Sequence, residues 1–246
     1  MQVMITKAQV KHIRSLEDKK YRSESGSFVV EGDKMVLELI QNQIEIKHIY
    51  ATKNWIDIHR TKLKITTPLT EVIDSELERI SFLSSPNQVL AEVYFSSLNF
   101  NEISGHALLL DSIQDPGNMG SIIRIADWFG ITHVYCFGQC VDVFNPKVVQ
   151  STMGSLLRVN IRSIQIDEVA ELSSKSKLIG ATLGGENIEQ ISKTEQMILV
   201  IGNESKGIRH EIIDLCTQCV TIPKKGHAES LNAAVATGIL CHALLC

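Results

Sequence analysis

Short apolar runs separated by polar or amphipathic stretches organise the chain, and their lengths and periods predict alternating strands and helices. Residues 4–22 read as a polar, basic helix, followed by a turn at Ser23–Ser27. FVVEG (28–32), IKHIYAT (46–52) and VLAEVYF (89–95) read as strands. Between them, Asp33 is placed to cap a helix over Lys34–Gln41, and Thr70 or Asp74 to open a short helix ending at Ile80. This predicts a small α/β layer over residues 1–95. The polar stretch SSLNFNEISG (96–105) reads as a linker.

Beyond it the pattern becomes regular. HALLLDSI (106–113), HVYCFG (133–138), KLIGAT (177–182) and MILVIG (197–202) are nearly continuous apolar runs, the mark of strands buried on both faces of a mainly parallel sheet. Helices are expected over Met119–Phe129 and Ser230–Leu245. Residues 106–246 therefore form a second α/β domain.

Composition changes this picture little: 44% hydrophobic and 21% charged residues suit an ordinary globular protein. No stretch has the length of a signal peptide core or a membrane span, so a cytoplasmic protein without a membrane partner is expected. The six cysteines fit a reducing compartment. Cys216 and Cys219 make a lone CxxC, better read as thiols beside strands than as half of a zinc site. The net charge of −4 hides an asymmetry: residues 1–70 carry 12 Lys+Arg against 8 Asp+Glu, and residues 71–246 carry 12 against 20. A cationic N-terminal face, with Lys7, Lys11, Arg14, Lys19, Lys20 and Arg22, suits backbone phosphates or is simply a solvated helix face.

Candidate chemistry clusters in three loops at strand ends, where open α/β sheets bind ligands. In DSIQDPGNMGSIIRIADWFG (111–130), Asn118 is a candidate helix cap. Arg124 near a helix start opposes the macrodipole unless an anion joins it, and is otherwise a surface arginine. LVIGNESKGIRHEI (199–212) has the outline of a phosphate loop. Ile208 and Arg209 stand where a Walker A loop needs Lys and Ser or Thr, and no GxGxxG occurs. Glu204 either does chemistry there or favours the helix dipole. In VTIPKKGHAESLNAAVATG (220–238), Glu229 or Ser230 could cap a helix rich in small residues; His227 reads best as a solvent-facing loop histidine. No GxSxG or HExxH is present.

The stretches N-M-G-S-I-I-R (118–124), I-G-N-E-S-K-G (201–207) and I-P-K-K-G-H-A-E-S-L-N (222–232), in this order and spacing, closely resemble the three motifs of SpoU/TrmH-type RNA 2′-O-ribose methyltransferases of the SPOUT superfamily. Residues 1–95 more loosely resemble the substrate-binding domain that precedes that catalytic domain. The resemblance implies a C-terminal α/β domain with a deep trefoil knot, S-adenosylmethionine as cofactor, and a homodimer packed around the knot. It carries catalytic roles to Arg124, Asn118, Glu204, Ser230 and Asn232, and cofactor binding to Gly202, Ile222 and Leu231. Lys19, Lys20, Arg22 and Arg124 become the expected contacts to structured RNA, ribosomal or transfer, with no role for DNA. Two other readings stay open: an RNA-binding protein that keeps the fold without turnover, and a knotted methyltransferase acting on a base or a protein.

Overall fold

The computed structural model describes residues 5–63, 67–95, 105–191 and 196–246. The chain divides into two compact units, Met1–Asn99 with Phe144–Leu157, and Phe100–Val143 with Arg158–Cys246. Apart from Gly105, the expected linker lies outside the described residues.

The first unit holds a four-stranded sheet of β1 (Ser27–Glu31), β2 (Ile46–Ala51), β3 (Leu69–Glu71) and β4 (Val89–Tyr94), in the order β1-β4-β2-β3. Strand β4 is antiparallel to β1 and β2, while β2 and β3 run parallel. Where one N-terminal helix is expected there are two, α1 (Lys7–Ser15) and α2 (Lys19–Ser25). Asp18 accepts from the Lys20 amide and caps α2, giving the backbone an alternative to continuing α1. Gly26, at φ 63°, ends α2 in the left-handed conformation that favours glycine. Arg22, predicted to contact RNA, is only 2% exposed; its Nη1 donates to the carbonyls of Leu16 and Glu17, both at 2.7 Å. Its guanidinium ties down the break between the two helices, and the RNA role is withdrawn.

Three further helices, α3 (Asp33–Gln41), α4 (Lys53–His59) and α5 (Asp74–Ile80), complete the layer. Asp33 is the first residue of α3 rather than its cap, and Thr70 lies in β3. A segment from later in the chain joins this unit: the Phe144 ring sits 4.8 Å from that of Phe28 and 4.5 Å from that of Phe95.

The second unit is a six-stranded sheet of β5 (Ala107–Asp111), β6 (His133–Phe137), β7 (Asn160–Ile164), β8 (Lys177–Asn187), β9 (Met197–Ile201) and β10 (Gln218–Thr221). The order is β10-β8-β9-β5-β6-β7, and every pairing is parallel. Strands β5, β6 and β9 are buried at every position, as their apolar runs predict. The chain leaves β5 toward β6 on one side and leaves β9 toward β10 on the other. A crevice therefore opens beyond the carboxyl ends of β5 and β9, at the switch in topology. Helices α6 (Pro116–Trp128), α7 (Pro146–Thr152), α8 (Ile166–Lys175) and α9 (His210–Ile213) lie in the strand connections, α7 within the segment assigned to the first unit. The C-terminal helix, α10 (Ala233–Leu245), packs on α6; a Cβ added at Gly238 would sit 3.7 Å from Ile125 Cδ1.

Candidate active site

Asp115 caps α6, with its carboxylate accepting from the Asn118 amide at 2.7 Å, and Pro116 follows at the first helical position. Asn118 is thus the third residue of the helix and not its cap, which frees its side chain. The pair Asp115-Pro116 is the better cap signature. Likewise Asn232, and neither Glu229 nor Ser230, caps α10, its Oδ1 accepting from the amides of Ala234 and Val235.

The freed amide of Asn118 joins the three loops. Its Nδ2 donates to Glu204 Oε1 at 2.7 Å, and its Oδ1 accepts from Asn232 Nδ2 at 2.7 Å. These partners lie 86 and 114 positions away in sequence. Each end of the amide is assigned by its partner, because a carboxylate only accepts. Glu204 is thereby held by Asn118.

The turn carrying Glu204 is closed by paired backbone bonds between Asn203 and Gly207, at 3.1 and 2.8 Å. Asn203 Oδ1 accepts from the amides of Ser205 and Lys206, and its Nδ2 donates to the Ser112 carbonyl at 2.9 Å. A Cβ at Gly202 would overlap the backbone of Gly207 and Ile208, so only glycine lets the turn fold back on itself.

A second tie, invisible in the sequence, anchors the far end of this turn. Asp111, 1% exposed at the end of β5, accepts from the Arg209 amide at 2.8 Å and from its Nε at 2.9 Å. Arg209 Nη2 donates to Ser112 Oγ at 3.0 Å, and the guanidinium stacks over the Phe137 ring at 4.3 Å. It crosses directly above Gly138, where any Cβ would collide with it. Sequence reasoning missed Asp111, Ser112, Asn203 and Arg209. Asp111 alone left a signal, as a charge closing a buried apolar run.

Between the turn at Gly202–Gly207 and the stretch 222–231 lies a cleft of about 660 Å³. Ile201, Ile222, Leu231 and Leu240 give it apolar walls, and Gly202, Glu204 and Ser230 also line it. Gly202, Ile222 and Leu231 thus share one cavity, of a size suited to a nucleoside-sized ligand. Arg124 is exposed on α6, and among the described residues its guanidinium has no hydrogen bond or ion pair. Lys19 and Lys20 are exposed on α2, Lys20 lying 4.0 Å from Glu24.

A parallel sheet with its ligand crevice at the topological switch, and three loops joined through one asparagine, define the class: residues 105–242 match the SpoU rRNA Methylase family, and the chain belongs to it. Its catalytic domain therefore has that family's knotted α/β fold. Residues 7–91 match the MRM3-like substrate binding domain. The chain is 29% identical over 241 residues to the 23S rRNA (guanosine(2553)-2′-O)-methyltransferase of Bacillus subtilis, covering 96% of this chain and 95% of that one. Among solved structures it resembles a protein of the TrmH family of RNA methyltransferases from Porphyromonas gingivalis, with TM-score 0.88, 34% identity and 98% of both chains covered. It also resembles an AdoMet-bound rRNA methyltransferase from Sinorhizobium meliloti, with TM-score 0.87, 27% identity, and 98% and 96% covered.

Proposed function

We propose that this protein methylates a ribose 2′-hydroxyl of ribosomal RNA, using S-adenosylmethionine held in the cleft. The observation that carries this reading is the Asn118–Glu204–Asn232 network beside a cleft containing Gly202, Ile222, Leu231 and Ser230. The cofactor fits on grounds of this chain's own shape: the volume is adequate and the walls are largely apolar. The bare backbone at Gly202 also permits a close approach. When bound, S-adenosylmethionine supplies an electrophilic methyl group on a sulfonium.

The residues then have distinct tasks. Much of the catalysis is positioning, since methyl transfer is an in-line displacement. Glu204 and Asn232 hold the Asn118 amide with one Nδ2 hydrogen still available, and that hydrogen and the Ser230 hydroxyl orient the sugar. A guanidinium is a cation and not a proton acceptor, so Arg124 serves to clamp a phosphate and stabilise the developing alkoxide. Its lack of a partner supports that role, because an anion is then needed to complete it. Lys19 and Lys20 bind RNA from the first unit.

We also propose a homodimer, supported by apolar side chains exposed on the second unit: Trp128 is 84% exposed, and Val235 and Ile239, one turn apart on α10, are 52% and 40% exposed. No helix among the described residues is long and apolar enough to cross a membrane. We place the protein in the cytoplasm, beside its RNA. Mapping ribose methylations in RNA from cells with and without the gene tests the substrate; one ribosomal site should disappear with it, and an unchanged map would refute the reading. Arg124→Lys keeps the charge and loses the planar fork, so turnover should fall strongly. Near-normal turnover would remove the clamp.

A further inference from the structure

The cleft mouth carries a charge pattern that the methyl donor does not explain. Lys206 on one wall and Lys224 and Lys225 on the other all line the cleft, and all three are exposed. Among the described residues none of the three makes an ion pair. Two acids line the same cleft, Glu229 in the stretch 222–232 and Glu204 on the opposite wall, where it accepts from Asn118, so the lining carries one positive charge in excess. This cluster runs against the local trend, because residues 71–246 carry 20 acidic against 12 basic side chains. Three like charges around one opening repel one another and raise the local potential until an anion arrives.

S-adenosylmethionine cannot be that anion. Its sulfonium and ammonium outweigh its one carboxylate, so it enters with a net positive charge and gains nothing overall from a lining that is itself net positive. RNA has the opposite character, with a phosphate on either side of every ribose.

We propose that Lys206, Lys224 and Lys225 form a phosphate-docking rim that grips the RNA backbone on both sides of the target ribose and seats the 2′-hydroxyl over the cleft. This rests on the ribose-methylation reading and adds to it a binding surface on the catalytic unit itself, separate from Lys19 and Lys20 on the first. Lysine suits the task, as a point charge on a flexible stem that follows a backbone without reading bases.

The test compares the wild type with Lys206→Gln and the double variant Lys224→Gln/Lys225→Gln, alongside the corresponding Lys→Arg variants. The probe is an unmodified transcript of 23S rRNA, with its Kd measured at stepped salt from about 50 to 200 mM; S-adenosylmethionine binding is followed separately by calorimetry. Each lost phosphate contact should make the salt dependence of log Kd shallower by about 0.7 for a single strand. RNA binding should weaken several-fold in the double variant, Arg should restore it, and the donor Kd should stay within twofold. Unchanged RNA affinity and salt slope would overturn the proposal. So would weakened donor binding with RNA affinity intact, which would assign the lysines to the donor carboxylate. Because the readout is binding, it is independent of methyl transfer. If the wild type binds the transcript yet leaves its riboses unmethylated, the functional reading fails while the rim is still tested.

Discussion

Gly138→Ala should disable Arg209 from a distance of 71 positions in sequence. Gly138 has φ 70°, a conformation that costs alanine about 1 kcal/mol. The larger effect is steric: the new Cβ falls where the Arg209 guanidinium crosses, so the side chain must leave Asp111 and Ser112. A hydrogen bond to a charged group is worth about 1.5–3 kcal/mol, and with the Arg209 side chain 42% exposed solvent screening holds the whole set to the worth of one such bond, about 1.5 kcal/mol. The variant should therefore lose about 2.5 kcal/mol in stability, the two contributions together. In an Arg209→Ala background only the Ser112 hydroxyl, 2.7 Å from the new Cβ and free to rotate away, has to move, and the same substitution should cost little beyond the backbone strain of about 1 kcal/mol. Denaturant unfolding of the four proteins, followed by circular dichroism, gives the cycle, with an expected coupling of about 1.5 kcal/mol. Costs that add to within about 0.5 kcal/mol would refute the argument. The same cycle read as donor affinity should show coupling of the same sign, because Arg209 follows directly on the turn that lines the cleft.

Three other outcomes are expected. Gly202→Ala cannot be absorbed by a moving side chain, since the clash is with the backbone of Gly207 and Ile208; calorimetry should show donor affinity falling about tenfold or more, equivalent to ~1.4 kcal/mol. Asn118→Ala removes the hub of the network without touching the cleft wall, so steady-state kinetics should show kcat down by about 10²-fold, with donor Kd little changed. In the first unit, burial pushes the Glu92 carboxyl up, but hydrogen bonds from Ser27, Lys47 and His12 outweigh it and hold the group below the ordinary 4.5. A depressed carboxyl contributes stability above its unfolded pKa and loses it as pH falls through the folded one. Glu92→Gln should thus lower stability near pH 7 and flatten the loss below pH 4.5, as measured by urea unfolding at stepped pH.

The parts of the fold legible in the sequence are those where burial dictates composition. Strands β5, β6 and β9 are buried on both faces and read as apolar runs. The edge strand β7, NIRSI, is exposed or half-buried at all but its last position, and nothing in its pattern separates it from a loop. Helix α4 opens on Thr52, a cap that is clear once the helix is known and ordinary before. Cap positions slipped where two candidates stood close together, as with Asn118 against Asp115, and Ser230 against Asn232. At the site, the motifs identify which loops matter but not how they join. That Asn118 reaches Glu204 and Asn232, or that Asp111 takes Arg209, depends on strand order, which local spacing does not encode. Arg22 shows the opposite failure: a basic cluster reads as a surface, yet one of its members serves the core.

The most direct test is to incubate the purified protein with isotope-labelled S-adenosylmethionine and unmodified ribosomal RNA, digest the product to nucleosides, and locate the label by mass spectrometry. The label should appear on the 2′-oxygen of a single nucleoside and accumulate about 10²-fold more slowly with Asn118→Ala. Label on a base, or RNA left unlabelled by a protein that binds both substrates, would contradict the account.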